Sequence, residues 1–101
     1  MSNIRRLVLD VLKPLSPSII ELAKQLADTQ GVDGVDVSLV EMDTKSESVK
    51  ITCEGENINY KEVEAVITDN GGSVHSVDKV STGSTIIEEV PTHQDTESTL
   101  A

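Results

Sequence analysis

The sequence predicts an α+β fold of order βαββαβ, and three observations predict it. Two strand-helix-strand units follow one another along the chain. Glycines hand each helix over to its next strand, at Gly31 and Gly34 and again at Gly71 and Gly72. Charged residues on the first and third strands then match when the two are laid antiparallel: with Arg6 opposite Glu54, Asp10 falls opposite Lys50. Right-handed crossovers leave a gap between the two parallel strands of each unit, and interlocking the units fills both gaps.

In Ile4 to Leu12, the residues Leu7, Leu9 and Val11 alternate with Arg6, Val8, Asp10 and Leu12, the period of two that gives a sheet one strongly apolar face. Pro14 and Pro17 then punctuate the chain. Ser16 before Pro17, or Ser18 with Glu21 three residues later, caps a helix over Ser18 to Gln30. Ile19, Leu22, Ala23 and Leu26 form its inward stripe. Val35, Val37 and Leu39 alternate with Asp36, Ser38 and Val40 in a second strand, Val35 to Asp43. A polar turn over Asp43 to Glu47 delivers the chain to the third strand, Val49 to Glu54, with Val49, Ile51 and Cys53 facing inward. Asn59 with Glu62 opens the second helix, Val63, Val66 and Ile67 line it, and Asn70, Gly71 and Gly72 stop it. The fourth strand, Val74 to Val80, has two orientations: either Val74, Ser76, Asp78 and Val80 face inward, or His75, Val77 and Lys79 do. Neither set is cleanly apolar, which suits an edge. The expected assembly is a ferredoxin-like plait, sheet order 4-1-3-2, with two helices on one face.

The chain of 101 residues has room for one domain, expected over residues 1–90, with a C-terminal extension from about residue 81. Thr85 to Val90 reads as an extra strand carrying the apolar residues Ile86, Ile87 and Val90, which should dock on their own domain or on a neighbouring subunit. Pro91 to Ala101 has the composition of a flexible tail. One tyrosine and no tryptophan or phenylalanine leave Val, Ile and Leu to fill a thin core.

The charge is lopsided, 18 acidic residues against 8 basic ones, net −10. Nucleic-acid binding relies on Lys and Arg neutralising phosphates, and an anionic membrane attracts the same residues, so both partners are excluded. Few lysines and many carboxylates suit a cytoplasm of high salt, where screening tolerates self-repulsion, and a halophilic origin follows as the inference. Cys53 is alone, so no disulfide forms within the chain, and its inward position makes it a small apolar residue. No apolar run approaches the roughly 20 residues of a membrane span and no signal-peptide pattern opens the chain, which makes the cytoplasm the expected location.

Val8 and Leu12 lie among charged residues on the uncovered sheet face, which in water normally carries fewer apolar groups. With a thin core, an edge strand and a loose apolar segment, this predicts a homo-oligomer. Glu41, Asp43 and Glu47 cluster around the hairpin, and hard oxygen ligands on a tight turn suit calcium or magnesium, although the glycine and ligand count of an EF-hand loop are missing. Asp10 and His75 meet across neighbouring strands, more as a structural contact than as a ligand pair. Without a glycine-rich phosphate loop, zinc spacing or nucleophile elbow, no enzymatic activity is expected. The reading is a non-enzymatic oligomeric module that binds a divalent cation or small ligand between subunits.

The stretch Ile4 to Pro14, then Pro17-Ser18 and Glu21-Leu22-Ala23, resembles the opening of the archaeal family catalogued as domain of unknown function 211. The likeness continues through Gly31 to Val35, Glu41-Met42-Asp43, Lys50-Ile51-Thr52, Gly55 and Gly71 to Asp78, and covers roughly residues 3 to 90. The resemblance implies a ferredoxin-like fold, an archaeal cytoplasmic protein and a ring-like or otherwise symmetric homo-oligomer, with no established activity. Its recurring polar positions match here at Asp10, Lys13, Glu41, Asp43, His75, Ser76 and Asp78, while Leu15 stands where the family often has His. Other users of the plait fit less well. Heavy-metal-binding domains need paired cysteines where this chain has Lys13 to Ser16, and RNA-recognition motifs need stacking aromatics where Thr52 and Val8 stand. Amino-acid-sensing regulatory domains are nearer, and a small-molecule sensor of that kind is the alternative reading. Lys13-Pro14-Leu15-Ser16 lacks the glycine that lets their loop wrap a ligand, so the analogy is one of fold.

Overall fold

A computed structural model describes residues 2–88 of the chain. The order is β1 (Ile4–Pro14), α1 (Ile19–Ala27), β2 (Val32–Met42), β3 (Ser46–Gly55), α2 (Tyr60–Asp69) and β4 (Ser73–Thr82). The strands form one antiparallel sheet in the order β2-β3-β1-β4, the expected 4-1-3-2 seen from the other edge. Arg6 stands opposite Glu54 and Asp10 opposite Lys50, as the charge pattern requires.

Both helices start where a side chain replaces the missing backbone acceptor. The Ser18 hydroxyl accepts the Glu21 N–H at 3.3 Å, and the Asn59 side chain accepts the Glu62 N–H at 3.3 Å. α1 stops three residues before the expected Gln30. The Asp28 N–H turns back to the carbonyls of Gln25 and Leu26, and the Thr29 hydroxyl donates to Leu26 at 2.7 Å. Gly31 then takes φ +84°, and a Cβ there would lie 1.8 Å from the Asn57 carbonyl oxygen. Only glycine permits that approach.

Strand register sorts the apolar residues into rows across the helix-covered face. Val35, Cys53, Leu7 and Val80 form one row, Val37, Ile51, Leu9 and Val77 the next, and Leu39, Val49, Val11 and Val74 the third. In every row the two central residues, from β1 and β3, are buried against Leu22, Leu26, Val63 and Ile67 of the helices. The outer residues are less covered: Val35, Val37 and Val74 are partly buried against the core, and the other three stand about half in water. Val77 is 50% exposed, Val80 53% and Leu39 46%.

β4 resolves its two sequence orientations into neither. One register shift falls between Val8 and Leu9 and another between Asp10 and Val11, leaving Asp78 and His75 without a residue opposite in β1. Each is a bulge that inserts one extra residue. Val74, Val77 and Val80, three apart, thereby share the core side, a spacing that strict alternation conceals.

The extra C-terminal strand is not formed over Thr85 to Glu88. Gly83 turns the chain at φ +104° and its N–H donates to Asn3 at 2.9 Å. The Arg5 guanidinium then takes the carbonyls of Gly83 at 3.5 Å and Ser84 at 3.0 Å, acceptors that a strand would have given to a neighbour. Glu89, Val90 and the expected tail, Pro91 to Ala101, lie outside the described residues.

Candidate functional site

The face of the sheet away from the helices holds Arg6, Val8, Asp10 and Leu12 of β1. Opposite them on β3 lie Glu54, Thr52, Lys50 and Ser48, and on β4 Ser81, Lys79, Ser76 and Ser73. The short side chains of Ser and Thr leave shallow depressions between the charged ones. Asp10 lies between Lys50 and Ser76, and the Ser76 hydroxyl donates to Asp78 at 2.6 Å. His75, exposed at its bulge, lines one depression with Asp10, Leu12 and Ser48. The structure therefore brings Asp10, His75, Ser76 and Asp78 together on one open face.

Lys13 and Glu47 lie elsewhere. They stand opposite each other on β1 and β3 at the end of the helix-covered face, and their side chains join at 2.6 Å. Lys13 is 3% exposed and its ammonium also donates to the Pro14 carbonyl at 2.7 Å, so the pair ties the β1 to α1 connection to the sheet. A buried cation needs such a set of acceptors, because leaving water costs it more than a single partner returns.

This pairing separates the hairpin carboxylates proposed as a metal cluster. Glu47 faces the helix side and is held by Lys13, whereas Glu41 stands opposite Ser48 on the other face. Asp43, at the hairpin tip, accepts the Thr44 N–H at 2.7 Å. Among the described residues no group of three His, Cys, Asp or Glu side chains is placed to hold a metal ion. Glu47 stands opposite Met42 and Glu41 opposite Ser48, so Glu41 and Glu47 lie on opposite faces of the hairpin in this chain.

At the opposite end of the open face, Arg6 holds two carboxylates. Its Nε donates to Glu54 at 2.8 Å, and its two terminal nitrogens reach both oxygens of Glu88, at 3.1 and 3.4 Å. Hydrogen bonds from Arg6 hold the Glu88 carboxyl below the usual glutamate range, with the Lys79 charge adding to the effect. The same two carboxylates hold the Arg6 guanidinium still more firmly charged. Sequence reasoning finds the Glu54 contact from register but not the Glu88 one, which depends on the turn at Gly83. Burial alone pushes the Cys53 thiol up to about 11.

With the geometry of both faces in view, the chain can be set beside known proteins. The model of the family described as uncharacterized ArCR, DUF211, matches residues 5–96. The chain belongs to the DUF211 family. A relative, the uncharacterized protein MJ0319 of the archaeon Methanocaldococcus jannaschii, is 45% identical over 95 residues, covering 94% of this chain and 98% of its own. Among the described residues of this chain no helix is long and apolar enough to cross a membrane.

Proposed function

We propose that this DUF211 chain is a non-catalytic building block that self-associates through the apolar margins of its sheet. One observation carries the reading: Leu39 on one edge strand and Val77 and Val80 on the other belong to the core rows yet remain about half exposed. Residues that share a row with fully buried partners have their side chains aimed at apolar surroundings, and a second copy would cover what the two helices leave in water. The perturbed titratable groups have structural causes, burial for Cys53, burial and the Glu64 charge for Tyr60, and mutual pairing for Arg6 and Glu88, which supports a scaffold over an enzyme.

A calcium or magnesium ion or a small ligand enters this reading at contacts between copies. Glu41 and Asp43 are exposed on the hairpin and contribute oxygen ligands there only if a neighbouring chain completes the shell. The acid excess and the absence of a long apolar helix among the described residues fit a protein of the cytoplasm, and the charge fits one of high salt. Light scattering tests the central statement. The full chain should run as a multimer whose mass falls to that of a single chain in the doubly substituted Leu39→Glu, Val77→Glu protein, with the far-ultraviolet circular dichroism retained. A parent protein that is monomeric on concentration in both dilute and concentrated salt ends the proposal.

A further inference from the structure

The open face carries a recognition element that the assembly reading does not use. Arg6 lies low on the sheet, its side chain 16% exposed, and the strands fix its direction, because Nε is tied to Glu54 of the neighbouring strand. That contact leaves the two terminal nitrogens pointing outward as a fork. Both are filled by the two oxygens of one carboxylate, that of Glu88, whose own side chain is 71% exposed. Two parallel N–H to O contacts from a guanidinium are the geometry by which proteins select carboxylates and other planar oxyanions.

Glu88 arrives from outside the sheet, on a segment that Gly83 turns away from β4 and Arg5 ties down through two backbone carbonyls. Its grip on Arg6 is exposed to water, so the closed arrangement exceeds the open one by only a small factor. Beside the fork lies a depression floored by Val8 and Thr52 and bounded by Lys50 and Lys79 together with the carboxylates Glu54 and Asp78. In a chain of net charge −10, three of the eight basic residues stand around this one hollow, against two carboxylates that already have partners, Glu54 on Arg6 and Asp78 on the Ser76 hydroxyl. A second carboxylate a few bonds from the first would lie near those ammonium groups.

We propose that Arg6 is the anchor of a binding site for small dicarboxylates on the open sheet face, and that Glu88 is a tethered carboxylate that competes for it. The ligand's first carboxylate replaces Glu88 on the fork, and its second lies over Thr52 toward Lys50 and Lys79. The apparent affinity is reduced by the fraction of time the fork is filled from within, so removing the tethered competitor strengthens binding by that factor. The site is independent of the sheet margins that carry the self-association reading. It stands or falls with Arg6 whether the chain is single or assembled.

Succinate is the probe, titrated into the full chain and followed by the amide shifts of Val8 and Thr52, with sodium chloride of equal ionic strength as the reference. Glu88→Gln should lower the succinate midpoint by about threefold, the scale on which an exposed ion pair biases its own closure. Arg6→Lys in the Glu88→Gln background keeps the charge, removes the fork and should raise the midpoint again by at least that factor. Equal midpoints for the parent and Glu88→Gln proteins would overturn the competition. Unchanged binding on Arg6→Lys, or shifts no larger than sodium chloride produces, would overturn the site. The titration is run at two protein concentrations tenfold apart. A midpoint that moves with protein concentration assigns the fork to a carboxylate of another copy and overturns the small-ligand reading.

Discussion

The central strands and the edge strands of this sheet carry the same kinds of residues and meet different fates. Leu7, Leu9 and Val11 on β1 and Val49, Ile51 and Cys53 on β3 are sealed, while Val77 and Val80 on β4 and Leu39 on β2, in the same rows, stay half in water. Position in the sheet accompanies the difference. β1 and β3 have a hydrogen-bonded neighbour on each side, whereas β2 and β4 are edges with one side open. Val35, Val37 and Val74 on the edges still pack against the core, so the exposure is concentrated at Leu39, Val77 and Val80.

The largest effects should come where the central rows end in charge. Lys13→Met alone leaves the buried Glu47 carboxylate without its cation, and Glu47→Leu alone strands the Lys13 ammonium. Each should cost about 3–5 kcal/mol in urea unfolding. The double variant should recover most of that loss, because two apolar side chains of similar size fit a site already closed to water. Single variants that unfold like the parent would mean that the pair is hydrated, and the distinction between sealed centre and wet margin would fail at that end of the sheet.

Truncation within a single row tests the contrast directly. Ile51→Ala at the centre should cost about 2–5 kcal/mol, whereas Val77→Ala at the margin should cost about 1 kcal/mol or less in a dilute single chain. Repeating the second measurement at high protein concentration sharpens it. If copies cover the margin, the penalty for Val77→Ala grows with concentration, while that for Ile51→Ala is already large in the isolated chain.

The central thiol gives a smaller effect with a defined pH window. The Cys53 thiol titrates at about 11 in the folded chain against 9.0 when unperturbed. Since the folded pKa is the higher, stability is fully present below pH 9 and is lost as the pH rises toward 11, by on the order of 2 kcal/mol. Cys53→Ala should be less stable at neutral pH through lost packing, yet free of that additional alkaline fall. Equal alkaline slopes for the two proteins would assign the fall to other groups.

Much of this was legible in the chain, and particular residues explain the remainder. The plait follows from the order of elements, and the register from the Arg6 with Glu54 and Asp10 with Lys50 pairs, since only one antiparallel alignment satisfies both. The same register, carried three residues beyond Asp10, sets Lys13 against Glu47. Reading Glu47 with Glu41 and Asp43 instead grouped Glu41 and Glu47, which the hairpin register sets on opposite faces. The orientation of β4 was hidden because its bulges at His75 and Asp78 depend on how β1 and β4 twist together, and a period of two cannot represent an inserted residue. The Glu88 contact was hidden for a related reason: it requires Gly83 to turn at a positive φ and Arg5 to hold the turned chain, neither of which shows as a pattern in the sequence.

The smallest expected effect falls on that contact and asks whether the open face has a held margin of its own. The Glu88 carboxyl is kept below the ordinary glutamate range, chiefly by its hydrogen bonds from Arg6. Because the folded pKa is the lower one, the contact's contribution is complete above the unfolded value near 4.5 and disappears as the pH falls through the folded value. A carboxyl-carbon titration should place Glu88 below the other exposed glutamates, and Arg6→Gln should move it most of the way back. Unfolding curves should hardly change, since the Glu88 side chain stands in water and a pair with so exposed a partner adds little to global stability. A Glu88 midpoint indistinguishable from its exposed neighbours would mean that the C-terminal segment leaves Arg6 in solution. The half-covered edges on the helix side would then be matched by an equally uncovered fork on the other face, and both sides of the sheet would depend on something outside the chain to complete them.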